Sequence, residues 1–169
     1  RNDPSREYGK GIKKMIARMV FLLADGCVFQ TEQAKEWFPL KLQENSKIIL
    51  NEVAEKFFET EREDVDLDSI VSVGRLSRQK NHGVLIKAFA EIVEEYPKKR
   101  LFIYGAGELK DELVELIKSK NLQEKVYLMG TIDSVEAILS AAGMFILSSD
   151  YEGMPNALME AMAVGVPCI

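Results

Sequence analysis

From Ser69 onward the chain alternates short apolar runs with amphipathic stretches, and this rhythm restricts the fold more than any other feature. Ile70-Val71-Ser72-Val73 reads as a strand. The segment after it puts Leu85, Ala88, Phe89, Ile92, Val93 and Tyr96 on one helical face and stops at Pro97. Leu101-Phe102-Ile103-Tyr104 is the next strand, followed by a helix carrying Leu109, Leu113, Leu116 and Ile117. Val126-Tyr127-Leu128 leads to Gly130, and Ser134 is placed to cap a helix bearing Val135, Ile138, Leu139 and Ala142. Met144-Phe145-Ile146-Leu147 is a strand, and Ala157 to Val164 a helix ended by Gly165. Strands spaced by helices in this way form βαβ units with right-handed crossovers. The expected fold class is α/β: a Rossmann-like parallel sheet with helices on both faces.

The earlier part has its own pattern. Ile12, Met15, Ile16, Met19, Val20 and Leu23 recur at helical spacing, with Lys13, Lys14 and Arg18 on the other side. Asp25-Gly26 breaks that helix, Cys27-Val28-Phe29 makes a short strand, and Thr31 caps a helix running through Trp37 to Pro39. Lys47-Ile48-Ile49-Leu50 reads as another buried strand. Residues 51–68 are rich in Glu and Asp and weakly patterned, which suggests a linker between domains at 1–50 and 69–169. The chain opens without methionine and closes on the apolar Val166-Pro167-Cys168-Ile169, so it reads as a fragment of a longer polypeptide truncated inside a strand.

Composition excludes several classes. Across 169 residues, 22 Lys+Arg against 27 Asp+Glu leave a net charge of −5, which argues against a nucleic-acid-binding surface. Two cysteines, Cys27 and Cys168, lie far apart without metal-ligand company, so neither a disulfide framework nor a zinc site is indicated. Apolar runs fall well short of the ~20 residues that span a bilayer, and no signal peptide is visible. The expectation is a soluble, cytoplasmic protein.

In an open parallel sheet, ligands bind beyond the carboxyl ends of the strands. The unusual residues collect there. Gly74-Arg75 through Lys80-Asn81 follows one strand and Gly105-Ala106-Gly107-Glu108 the next. Gly130-Thr131-Ile132 and Tyr151-Glu152-Gly153-Met154-Pro155-Asn156 follow the other two. Arg75 offers a fork of donors suited to phosphate oxygens and Lys80 a compact charge; the competing reading is a solvated loop, since Arg78 shares the stretch. Gly105 and Gly107 either keep a pocket floor clear of side chains or simply form a tight turn. Pro155 suits a first helical position, so free amides near Asn156, Ala157 and Leu158 would favour anionic oxygens. Glu160 can accept hydrogen bonds from a diol such as a ribose, and Glu152 from another hydroxylated group. N-terminal acid placement explains Glu152 cheaply. It does not explain Glu160, whose carboxylate in an Ala/Met/Leu helix needs water or a partner.

Gly74-Arg75-Leu76 with Lys80-Asn81, together with the run from Glu152-Gly153-Met154-Pro155-Asn156 to Glu160-Ala161-Met162-Ala163, resembles the nucleotide-sugar half of a family-4 retaining glycosyltransferase of the GT-B fold. The two glutamates bracket seven residues, as in that family's signature. Residues 70–169 carry the close resemblance, while 1–50 are similar to the closing part of the family's N-terminal, acceptor-side domain.

The resemblance implies a sugar transferred from a nucleoside diphosphate, UDP by family habit, with its α configuration kept. It makes Arg75 and Lys80 holders of the diphosphate and Glu160 the ribose acceptor. Glu152 and the amides from Gly153 to Asn156 would grip the transferred sugar, with Arg75, Lys80 and Glu152 as the catalytic set. Ile132 would offer backbone contacts to the base, near the Gly105 turn. No metal or other cofactor is expected, because two fixed cations can do the work of a divalent ion. The implied acceptor is a glycan or a lipid-linked glycan, bound largely by the absent domain. This places the chain in polysaccharide or glycolipid synthesis, inactive or nearly so alone. A basic helix with Arg1, Arg6, Lys10, Lys13, Lys14 and Arg18 could touch an anionic membrane face; the plainer reading is a solvated face on a core helix. Where the family shows Asn-Pro after the strand at Leu50, this chain has Asn51-Glu52. His82, the single histidine, is expected at a helix start or on the surface rather than as a base. The competing functional reading is a non-catalytic nucleotide-sugar-binding or scaffolding module. A related GT-B epimerase or phosphorylase finds no supporting residues.

Overall fold

The computed structural model describes residues 11–169, which form two compact units. The expected basic residues Arg1, Arg6 and Lys10 lie outside the described residues, as do the side chains of Lys13 and Arg18.

The first unit takes residues up to Glu52 and, from later in the chain, Tyr151–Pro155. Its elements are α1 (Ile12–Phe21), β1 (Cys27–Phe29), α2 (Glu32–Glu36), α3 (Leu40–Glu44) and β2 (Ser46–Ile48). The two strands pair in parallel, with Val28 opposite Lys47. Thr31 caps α2 as its residue type demands, its Oγ1 accepting from the Ala34 amide at 3.1 Å. Phe29, Phe38 and Leu42 form a small core backed by Phe21, Trp37 and Ile48. Phe21 meets Phe38 edge-on with ring centroids 4.8 Å apart.

Two expectations fail in this unit. The stripe from Ile12 to Leu23 shares one face but is not covered: exposure runs from 53% at Ile16 to 85% at Leu23. It is the Lys14 side that meets the unit, its Nζ lying 5.7 Å from the Trp37 ring centroid. Helical period says which residues share a face, not which face finds a neighbour. The strand at 47–50 is likewise shorter and drier only in part: it ends at Ile48, and Ile49 and Leu50 are exposed.

The second unit holds α4 (Lys56–Glu59), β3 (Asp66–Val73), α5 (His82–Ile92), β4 (Arg100–Tyr104), α6 (Lys110–Ser119), β5 (Val126–Gly130), α7 (Val135–Ala141), β6 (Ala142–Phe145) and α8 (Asn156–Val164). All four strands run parallel in the order β5-β4-β3-β6. Residues 167–169 continue this sheet past β6: Phe145 donates to the Pro167 carbonyl at 2.8 Å and Ile169 to the Phe145 carbonyl at 3.0 Å. The final apolar residues pair as an isolated bridge at Cys168 rather than as a full strand, and Ile169 is exposed.

Alternation along the strands builds two cores. On one face Ile70, Leu101 and Ile103 pack with Leu85, Ile86 and Phe89 of α5 and with Leu113 and Ile117 of α6. On the other, Val71 and Phe145 pack with Leu139 of α7, Ala161 and Val164 of α8, and Phe57 of α4. The fold is therefore the expected Rossmann-like α/β sheet with helices on both faces.

The acidic stretch at 51–68 opens at the boundary between units and then takes on structure. Phe57 is buried, and Arg62 donates to the carbonyls of Gly165 (2.6 Å) and Ala142. Asp66 and Asp68 pair with Arg100 and Lys99. Ser134 occupies the N-cap of α7, but its hydroxyl makes no bond to the helix backbone. Pro155 directly precedes α8 rather than opening it.

Candidate functional site

The chain runs β3 to β4 to β5 on one side and then returns to place β6 on the other flank of β3. The direction of winding reverses between β3 and β6, and the carboxyl end of such a switch point is a natural crevice. The loop after β3, residues 74–81, lies there.

Backbone hydrogen bonds lace this loop to the one after β4. Gly74 donates to the Tyr104 carbonyl at 2.9 Å, Leu76 to that of Ala106 at 3.0 Å, and Leu109 to that of Leu76 at 3.1 Å. Such proximity excludes side chains. A Cβ on Gly105, whose φ is +139°, would stand 2.0 Å from the Gly74 carbonyl oxygen, and one on Gly107 would stand 2.3 Å from that of Leu76. Both glycines serve loop-to-loop packing.

Lys80 returns across the start of the same loop. A Cβ on Gly74 would sit 3.2–3.4 Å from the Cγ, Cδ and Cε of Lys80, so the absent side chain makes room for the lysine stem. The β6 end holds the lysine's backbone. Ser148 Oγ donates to the Lys80 carbonyl at 2.9 Å, and the Asp150 amide donates to that of Gln79 at 2.9 Å. Asn81, in the left-handed region at φ +47°, donates through Nδ2 to Asp150 Oδ1 at 2.7 Å. Arg75 is exposed and, among the described residues, its guanidinium has no hydrogen-bond or ion-pair partner.

His82 opens α5, as expected of a helix start, but it is not on the surface: only 2% is exposed. Its Nδ1 is buried without a partner. Burial, aided by the Lys80 charge, lowers its pKa to about 4, so the ring is neutral near pH 7 and is no cation for the loop.

The remaining candidates divide. Ile132, Ala157 and Leu158 are partly buried against the second core, and Asn156 at the start of α8 is exposed. Glu152, Gly153, Met154 and Pro155 fall in the first unit. There Asn51 anchors them: its Nδ2 donates to the Met154 carbonyl at 3.1 Å, its backbone N–H approaches Met154 Sδ at 3.1 Å, and its Oδ1 accepts from Gln30 Nε2. Asn51 thus secures the segment that carries Glu152.

Glu160 is half-buried on α8, and among the described residues nothing donates a hydrogen bond to it. Burial raises its pKa; Lys56 opposes that rise and Glu136 adds to it. Lys56 Nζ and Glu136 Oε2 are themselves paired at 2.8 Å. The hydrogen bond from Lys56, with help from the Glu136 amide and Ser134, lowers the Glu136 carboxyl to about 2. Sequence reasoning missed Lys56, Glu136, Ser148 and Asp150. Only the unexplained apolar setting of Glu160 hinted that a partner was needed.

A Rossmann-like α/β domain with an unpaired arginine and a strapped-down lysine at its switch point is the class of protein described so far. The chain belongs to the glycosyl transferases group 1 family, whose family model matches residues 53–169. It is 32% identical, over 186 aligned positions covering 100% of this chain and 46% of the relative, to an uncharacterised glycosyltransferase of Methanocaldococcus jannaschii. It therefore spans under half the length of that relative. Over 94 residues, 56% of this chain and 25% of the relative, it is 43% identical to the N-acetylgalactosamine-N,N'-diacetylbacillosaminyl-diphospho-undecaprenol 4-alpha-N-acetylgalactosaminyltransferase of Campylobacter jejuni. Among solved structures, TarM of S. aureus superposes with a TM-score of 0.81 at 22% identity, covering 99% of this chain and 34% of TarM. Anabaena HepE in complex with UDP and glucose gives a TM-score of 0.79 at 18% identity, covering 98% and 50%. At those identities the likeness concerns the fold.

Proposed function

We propose that this chain carries the donor-binding half of a family-4, GT-B glycosyltransferase, which takes a sugar from UDP with retention and without a metal. The observation that carries the reading is a single loop at the switch point that holds an unpartnered Arg75 next to Gly74 and lays the Lys80 stem over that glycine. A diphosphate placed there meets a forked guanidinium and an ammonium. As the bond to the sugar breaks, negative charge grows on the departing diphosphate. Two cations carried by one loop lower that barrier, so no divalent ion is required. UDP is favoured because the solved complexes of TarM and HepE contain it.

In this reading Glu160 accepts from the ribose diol, and backbone at Ile132 meets the base. Glu152 and the 153–156 segment take the transferred sugar. Residues 1–50 are the closing part of an acceptor-side domain, and the acceptor is a glycan or lipid-linked glycan, as the name of the Campylobacter jejuni relative describes for that enzyme. Among the described residues no helix is long and apolar enough to cross a membrane. A cytoplasmic protein touching the membrane face only peripherally fits this reading.

Calorimetry with UDP, GDP and ADP, each with and without sugars, tests the reading. UDP ligands should bind best, and binding should survive EDTA. Arg75→Ala and Lys80→Ala should each weaken UDP by about 1.5–3 kcal/mol, roughly 10- to 150-fold. Unchanged affinity in both variants overturns the phosphate assignment.

A further inference from the structure

Glu160 lies on α8, which packs against both α4 and α7. Lys56 comes from α4 and Glu136 from α7, and their 2.8 Å ion pair closes the space between those two helices. Lys56 is steadied further by lying 5.2 Å from the Phe57 ring centroid. Both groups act electrostatically on Glu160, with opposite signs, and no hydrogen bond reaches that carboxylate among the described residues. Arg62 is engaged at the far end of α8, where it donates to the Gly165 carbonyl.

We propose that Lys56 is a positioning residue for the ribose-binding carboxylate: Glu136 holds the ammonium beside Glu160 without letting it pair there, leaving Glu160 charged and free to accept a diol. The inference rests on the reading of Glu160 as the ribose acceptor. Without Lys56, burial and the Glu136 charge would both favour the protonated acid, which offers fewer acceptor sites to two hydroxyls. Without Glu136, Lys56 is free to swing onto Glu160 and compete with the nucleotide.

Two variants with opposite signs test this in the 169-residue chain. Carbon-detected NMR titration of the Glu160 carboxyl, without nucleotide, should show its midpoint moving up in Lys56→Met and down in Glu136→Gln. Any nearby cation and anion move the midpoint in opposite directions, so UDP affinity is the readout that separates a positioning residue from a bystander charge: an unchanged affinity in Lys56→Met at acidic pH overturns the role even where the midpoint moves. UDP affinity in Lys56→Met should fall about threefold or more at acidic pH and less at pH 7.5, the size of a partly exposed charge interaction. Midpoints that stay put, or move together, overturn the inference and leave the donor site intact. Comparison of UDP with its 2′,3′-dideoxy analogue in Glu160→Gln separates the two claims. If the preference for UDP is unchanged there, the ribose assignment fails and the positioning role falls with it, whatever the midpoints do.

Discussion

The loop after β3 and the helix after β6 both bring charge to the carboxyl edge of the sheet, and they hold it by different means. Arg75 and Lys80 are placed by backbone: glycines that admit close approach, amide-to-carbonyl bonds between loops, and a lysine stem laid where a side chain is missing. Glu160 is placed by a helix and tuned by side chains, with Lys56 and Glu136 reaching in from the two helices beside it. A site set by backbone should be brittle to small changes at glycine and indifferent to pH near neutrality. One set by side chains should tolerate shape changes and respond to charge.

The largest expected effect breaks the backbone-set loop. Gly105→Ala brings a Cβ within 2.0 Å of the Gly74 carbonyl oxygen at a φ of +139°. It should cost about 3 kcal/mol or more in denaturant unfolding and abolish UDP binding. A variant of near wild-type stability would show that the two loops separate easily.

Close behind comes acid. His82 is folded with a pKa of about 4 against an ordinary 6.5. The unfolded chain therefore takes up a proton that the folded one refuses. Stability should be full above about pH 6.5 and fall as pH drops towards 4, by up to about 3 kcal/mol. His82→Leu should flatten that part of the profile when unfolding is measured at pH 7 and pH 4.5.

Smaller again are the ligand contacts, with Arg75→Ala and Lys80→Ala expected to act on UDP affinity and to leave the melting temperature nearly unchanged. The smallest effect is Ser148→Ala, which removes the 2.9 Å hydrogen bond to the Lys80 carbonyl. About 1 kcal/mol of stability should go, and a weaker UDP affinity alongside would show that the strap positions Lys80.

Much of this was legible before any coordinates. The alternation of apolar runs located β3 to β6 and their helices, and parallel strands oblige their loops to share one edge, so Gly74, Arg75 and Lys80 could be placed together. The covered side of α1 was not legible, because a stripe from Ile12 to Leu23 looks the same whether or not anything packs on it. Nor was the burial of His82, whose position after Lys80 suggested a helix start or the surface.

The sequence by itself determined the alternation of strands and helices from Ser69 onward, the parallel class of sheet and the identity of the charged loops, since each follows from spacings of one to four residues along the chain. Tertiary structure alone decided that Lys56 meets Glu136 across 80 positions, that Ser148 straps Lys80, and that Asn51 secures Met154. Those pairings depend on how helices and loops pack once the sheet has formed, and local periodicity carries no record of that distance.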